Sequence, residues 1–223
     1  MNFSEIDPTT FRLSLQVGVT ATTLCVLVGV PLAWWITRAQ SAIGGAVSTF
    51  ILLPLLLPPT AIGYYLLYGL GRQSSFGRFL IDDLGIRLVF TWQGAAIAAA
   101  IVALPLFVRT AQAGFEQIDP ELLDVGRTLG RSRVALFFRI ALPLAWPALV
   151  AATLIGFARA IGEFGATVIV AGNIPGETQT VPTAIYDATQ AGNSGLTNAL
   201  AFTFLIGGLV LLACLTLVLR KAR

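Results

Sequence analysis

Apolar residues in this chain come in long blocks rather than with the period of a strand or of one face of a soluble helix. The runs cover residues 13–37, 47–70, 93–108 (extending toward 113), 144–170 and 200–219, with short polar stretches between them. About 20 mostly apolar residues are needed for a helix to cross the hydrocarbon of a bilayer. The pattern therefore predicts five transmembrane helices, an all-α polytopic membrane bundle. Tryptophans mark two boundaries. Trp34 and Trp35 close the first run and Trp92 opens the third, where amphipathic rings meet the headgroup region.

Prolines punctuate the runs. Pro31 is expected to bend the first one locally. The second holds Pro54, Pro58 and Pro59, then Thr60 and Gly63. Three prolines remove backbone donors and force a kink or a break. Broken backbone at membrane depth survives only where protein or a cavity surrounds it. Pro58, Pro59, Thr60 and Gly63 are thus candidates for lining a path, the competing reading being a local kink. Of the polar connections, 71–91 carries Arg72, Arg78, Asp82, Asp83 and Arg87, and 172–198 is rich in Gly and Pro. The middle of the latter, 181–190, predicts a short interfacial helix. No internal repeat is visible.

Composition agrees with this pattern. Of 223 residues, 56% are hydrophobic and 11% charged, against roughly 25% charged in a soluble domain. Mean hydropathy is +0.83. Lipid is the expected solvent, and residues 1–223 read as one domain. A net charge of +3 without a water-facing basic stripe excludes a nucleic-acid partner. Cys25 and Cys214 each sit in an apolar run, without the spacing of a disulfide framework or metal site. The chain has no histidine, and no nucleophile–base pair appears. No catalytic residue, cofactor or metal is expected. The first ten residues are acidic (Glu5, Asp7), and the first run is too long for a signal peptide core, so it reads as a retained span.

Basic residues orient the bundle. With the N-terminus outside, the cytoplasmic pieces hold Arg38, Arg109, Arg127, Arg131, Arg133, Arg139, Arg220, Lys221 and Arg223, and the outer pieces Arg12, Arg72, Arg78 and Arg87. Nine against four favours N-terminus out and C-terminus in.

The connection between the third and fourth runs, 116–143, is the most informative. Asp119 is a natural N-cap, with Pro120 at the first helical position and Glu121 in the first turn. Gly130 is a natural C-terminal stop. Ser132 can cap a second helix running to about Ile140, and Pro143 begins the next span. Two short helices and a sharp turn on the cytoplasmic side serve either as a partner's docking element or as a basic loop that only sets topology. In the fourth run, Arg159 and Glu163 lie four residues apart, in salt-bridge reach on one helix face. Intramembrane charges are functional candidates by default, the competing reading being a structural pair. A carboxylate is an awkward ligand for an anion, so Glu163 would orient Arg159 or form part of a gate.

These segments carry a family resemblance. Asp124, Val125, Gly126, Gly130, Ile140, Leu142 and Pro143 match the spacing of the "EAA" loop of ABC importer permeases, with Asp for Glu and Val-Gly for Ala-Ala. The runs from Phe157 through Gly162-Glu-Phe-Gly165 to Thr167, from Ala171 to Pro182, and from Leu55 to Tyr65 resemble molybdate ABC transporter permeases. Sulfate and tungstate permeases share much of the pattern. The resemblance implies the type I importer fold in a bacterial inner membrane, a second copy of the chain, cytoplasmic ATPase subunits and an extracytoplasmic oxyanion-binding protein. It makes 116–143 a coupling loop with Glu121, Asp124, Gly126, Arg127, Gly130, Ile140, Leu142 and Pro143 as its working residues. It also assigns a path or gate to Pro58, Pro59, Thr60, Gly63, Arg159, Gly162, Glu163, Phe164, Gly165 and Thr167. With a single lysine, Lys221, the chain cannot hold the phosphate-binding Gly-x4-Gly-Lys-Ser/Thr loop, so the resemblance places ATP hydrolysis on another polypeptide. A stand-alone secondary transporter would need inverted repeats or ion-coupling carboxylates. A membrane enzyme would need converging catalytic groups.

Overall fold

A computed structural model describes residues 7–39 and 42–221. Glu5 and Arg223, used above in reading the two ends of the chain, lie outside the described residues. All regular structure among the described residues is helical. The elements are α1 (Pro8–Arg38), α2 (Ala42–Phe50), α3 (Leu53–Leu56), α4 (Pro59–Leu70), α5 (Ser75–Arg78), α6 (Trp92–Glu116), α7 (Pro120–Thr128), α8 (Arg133–Leu136), α9 (Leu142–Ile161), α10 (Gly165–Ala171), α11 (Val181–Gln190) and α12 (Ser194–Lys221). π-helical turns, Phe79–Asp83 and Phe137–Ala141, follow α5 and α8.

Three long helices, α1, α6 and α9, form the centre. The buried face of α1 follows a four-residue ridge through Leu13, Val17, Ala21, Cys25, Gly29 and Ala33. That of α6 does the same through Ala95, Ala99, Ala103, Phe107, Ala111 and Phe115. Small residues on such ridges let the backbones approach where no hydrophobic force from water assists. Phe107 fills the space that Gly29 leaves: a Cβ there would stand 2.5 Å from its ring. Gly156 of α9 faces the same ring. At the end of the bundle where α7 lies, Trp34, Phe115 and Phe137 form a ring cluster with centroids 5.3–6.3 Å apart, and the Arg38 guanidinium lies 4.7 Å over Trp34. At the opposite end, Val181 N–H at the head of α11 donates to Ser14 Oγ of α1 at 2.7 Å.

Four helical stretches are long and apolar enough to cross a membrane: Pro8–Arg38, Trp92–Glu116, Arg133–Ile161 and Ser194–Cys214. Ala42–Leu56 and Pro59–Leu70 make a fifth only as a pair bent by 107°. The second run is therefore a broken segment, as its prolines demand. Neither Pro58 nor Pro59 can donate to a preceding carbonyl, and Leu57 is extended (ψ 143°).

Two expectations are corrected. The fourth run is not one helix to residue 170: α9 ends at Ile161, and α10 begins at Gly165, so Glu163 stands in the break rather than on a helix. Pro143 lies in the first turn of α9 as expected, but the second short helix is not separate from the span. Helix continues from Arg133 to Ile161, 29 residues, because the π turn shifts the hydrogen-bond ladder. Leu142 N–H donates to the Phe137 carbonyl five residues back, which accommodates a proline lacking its own N–H.

Candidate functional site

The loop between α6 and α9 is built by its caps. Asp119 Oδ1 accepts from Glu121 N–H at 2.9 Å and starts α7. Gly130 ends it at φ +75°, where a left-handed residue turns the chain. Arg131 N–H returns to the Gly126 carbonyl (3.1 Å) and Gly130 N–H to that of Arg127 (2.9 Å), the pairing of a Schellman motif. Ser132 Oγ then accepts from Ala135 N–H at 3.2 Å and starts α8. The two helices pack through Gly126, whose missing side chain makes room for Leu136 and Ile140. Leu142 and Pro143 form the first turn of α9. Glu121 is exposed, and exposed Arg127 donates to Asp124 at 2.7 Å.

The outward face of α7 is apolar: Leu122, Val125 and Leu129 are 50%, 58% and 74% exposed, and Val134 and Phe138 on the following segment are exposed as well. Sequence reasoning missed this stripe. Its signal was apolar residues at i, i+3 and i+7 on a short, otherwise polar helix.

Two broken segments meet deeper in the bundle. α4, which follows the proline break, packs on α10, which follows the Gly162–Phe164 break. A Cβ on Gly63 would lie 2.8 Å from the Ala166 carbonyl oxygen, and one on Gly165 would lie 3.2 Å from Pro59 and 3.3 Å from Thr60. The structure thus joins Pro59, Thr60, Gly63 and Gly165. Thr167 Oγ1 donates to the carbonyls of Phe164 (2.9 Å) and Glu163 (3.2 Å). Gly162, at φ −88° and ψ 5°, adopts backbone open to any residue. Exposed Pro58 sits at the N-cap of α4. The Phe164 ring lies 5.0 Å from Tyr186 of α11, a partner not anticipated because 22 positions separate them.

Glu163, 3% exposed, has each carboxylate oxygen engaged. Oε2 lies 2.7 Å from Arg159 Nη1, and Oε1 accepts from Ala166 N–H at 2.9 Å. One buried carboxylate therefore ties the end of α9 to the start of α10. Arg159, a third exposed, lines a largely apolar groove of about 910 Å³ bounded by α1, α6, α9 and α12. None of the residues lining that groove belongs to α4.

Comparison with known proteins decides the family. A model described as binding-protein-dependent transport system inner membrane component matches residues 26–223. The chain belongs to this family. Molybdenum transport system permease protein ModB of Azotobacter vinelandii is 38% identical over 218 residues, 97% of this chain and 94% of that one. ModB of Escherichia coli K12 is 41% identical over 185 residues, covering 82% and 81%. The methionine ABC transporter MetNI, solved in inward-facing conformations, superposes with a TM-score of 0.71 at 16% identity over 95% of this chain and 93% of that one. The fold is thus that of type I ABC importer permeases. As an inner membrane component of such a system, the chain is multi-pass and its work is transport.

Proposed function

We propose that this chain is the permease through which a tetrahedral oxyanion, molybdate in the first instance, is imported at the expense of ATP hydrolysed on separate cytoplasmic subunits. The observation that carries the substrate is the identity to ModB across nearly the whole chain. The broken segments and the loop geometry support the mechanism. Two copies would enclose the path within membrane lipid, with the N-terminus outside and α7 in the cytoplasm. An extracytoplasmic binding protein would deliver the anion.

In this reading residues 116–143 are the coupling loop. The apolar face of α7 (Leu122, Val125, Leu129) docks in a groove of the ATPase, while Glu121, Asp124 and Arg127 form its polar rim. Hydrogen bonds cap α7 at both ends, and Gly126 seats it on Leu136 and Ile140, so it moves with α8 as one piece. Because helix runs unbroken from Arg133 to Ile161, about 43 Å at 1.5 Å per residue, that movement reaches the Arg159–Glu163 break directly. Gating consists of a shift of α10, with Gly165 and Thr167, against Pro58, Pro59, Thr60 and Gly63 of α4.

The test is uptake by the complex of permease, ATPase and binding protein in proteoliposomes, with molybdate, tungstate and sulfate in competition. Molybdate uptake that depends on ATP and is outcompeted only by tungstate is expected. ATP-independent uptake, or preference for sulfate, would overturn the reading.

A further inference from the structure

The exposed face of α4 carries a row of hydroxyls. Thr60, Tyr64 and Tyr68 are each exposed and recur every four residues, about 6 Å apart along the axis. The opposite face, Ile62 and Gly63, is buried on α6 and α10. None of the three hydroxyls makes a hydrogen bond among the described residues. For Thr60 this is unlike most helix threonines in this chain. Thr22, Thr37, Thr110, Thr153 and Thr203 each return their proton to the carbonyl four residues back. Thr60 has no such acceptor, because the carbonyl four residues back belongs to Leu56, across the 107° bend. The proline break itself leaves this hydroxyl free.

An unpaired hydroxyl facing hydrocarbon is unfavourable by several kcal/mol. Tyr68, near the end of α4, fits the interfacial belt of aromatics. Tyr64 lies one turn deeper, and Thr60 two turns deeper, against Gly165 at the break. The deeper two therefore need a polar surrounding. The next position of the row, Arg72, lies just beyond the end of α4 and is paired with Asp82 at 3.2 Å.

We infer that Thr60, Tyr64 and Tyr68 form a relay of neutral hydrogen-bond donors for a tetrahedral oxyanion dianion between the break and the outer end of α4. The inference rests on the oxyanion reading of the preceding subsection. Neutral donors suit a conduit. A dianion must be held well enough to enter and weakly enough to leave.

The test is molybdate uptake by the reconstituted complex carrying Tyr64→Phe and Tyr68→Phe together, Thr60→Val, or Tyr65→Phe. Phenylalanine keeps the ring contact between residues 64 and 65 (centroids 5.7 Å apart) and removes only oxygen. Tyr65 points about 100° away from Tyr64 around the helix and serves as the off-row control. The double variant should slow maximal uptake about tenfold, the size of a lost hydrogen bond to a charged group. Thr60→Val should slow it by a smaller factor. Assembly, ATP hydrolysis and the Tyr65→Phe rate should be unchanged. Wild-type uptake in the double variant, or an equal loss in Tyr65→Phe, overturns the relay. So does failure of the double variant to assemble, which would make the row a contact between copies. A wild-type complex that takes up no oxyanion would instead refute the reading beneath it.

Discussion

Arg159 and Glu163 form a 2.7 Å ion pair across the end of a helix rather than along it, because α9 stops at Ile161 and the carboxylate is already turning toward α10. The same carboxylate caps Ala166 N–H. Removing it therefore has two consequences, and removing the arginine has one. Glu163→Ala is expected to destabilise by about 2–4 kcal/mol, through a lost cap and an unpaired, partly buried guanidinium. Glu163→Gln keeps an acceptor for Ala166 and should lose less. The double variant Arg159→Ala with Glu163→Ala should be milder than Glu163→Ala alone if the pair is structural. Thermal unfolding in detergent and uptake, read together as a double-mutant cycle, check this. A double variant as inactive in transport as the worse single one indicates that the pair acts on the anion itself.

The α4–α10 contact predicts an order between two glycines. At Gly63 an added methyl meets a backbone carbonyl at 2.8 Å, which cannot rotate away. At Gly165 it meets Pro59 Cβ at 3.2 Å and Thr60 Cγ2 at 3.3 Å, contacts that a small shift relieves. Gly63→Ala should destabilise by about 1–3 kcal/mol. Gly165→Ala should fall within about 1 kcal/mol of wild type, since alanine's better helix propensity offsets the crowding. The melting temperatures of the two variants give the comparison. Equal losses would mean that α4 and α10 are not held at this distance.

Much of this arrangement was legible in the sequence because its determinants are local. Asp119, Pro120, Gly130 and Ser132 announce their caps and turns within a few residues, and the structure has each where the chain indicates. Residues 181–190 form a helix with the expected bounds. Other features depend on distant partners. Nothing near Phe164 says that the Tyr186 ring, 22 positions on, packs against it, and nothing near Ser14 says that Val181 N–H needs its hydroxyl. Apolar periodicity alone cannot detect a break of three residues inside a run that remains apolar on both sides. It likewise cannot foresee that a π turn would carry helix through Pro143.

At the start of α1, Asp7 accepts hydrogen bonds from the Thr9 side chain and from Thr9 N–H. These, the side-chain bond first, hold its carboxyl below the usual value of 3.8. A depressed folded-state pKa stabilises fully above the unfolded value, about 3.9, and that stabilisation is lost as pH falls through the folded one. The first turn of α1 should therefore fray only below about pH 4. The Thr9 amide resonance reports it, and Asp7→Ala should remove the pH dependence. A transition centred above pH 4 would contradict the cap.

The exposed stripe on α7 is expected to be a docking face rather than a fold element. Val125→Glu replaces a side chain that is 58% exposed, so the melting temperature of the isolated permease should hardly move. Recovery of the ATPase with the tagged permease should fall at least tenfold, as burying an unpaired charge in an interface requires. Undiminished co-purification would place the docking face elsewhere.

Gly130 separates a backbone requirement from a surface one. Its φ of +75° is unfavourable for any other residue, whereas a side chain there would meet nothing within 4 Å. The left-handed region disfavours most residues by about 1–2 kcal/mol, and it admits Asn and Asp more readily than β-branched side chains. If the glycine matters only for the turn, Gly130→Asn should retain most uptake and Gly130→Val should lose it, both remaining inserted. If the ATPase approaches the turn closely, Asn will fail as completely as Val, and Gly130→Asp more so by adding charge. Uptake measured alongside ATPase co-purification divides the cases. Loss of both in the Asn variant means the partner sits on the turn, and loss in the Val variant alone means that the Schellman geometry is what α7 needs to move as a rigid unit.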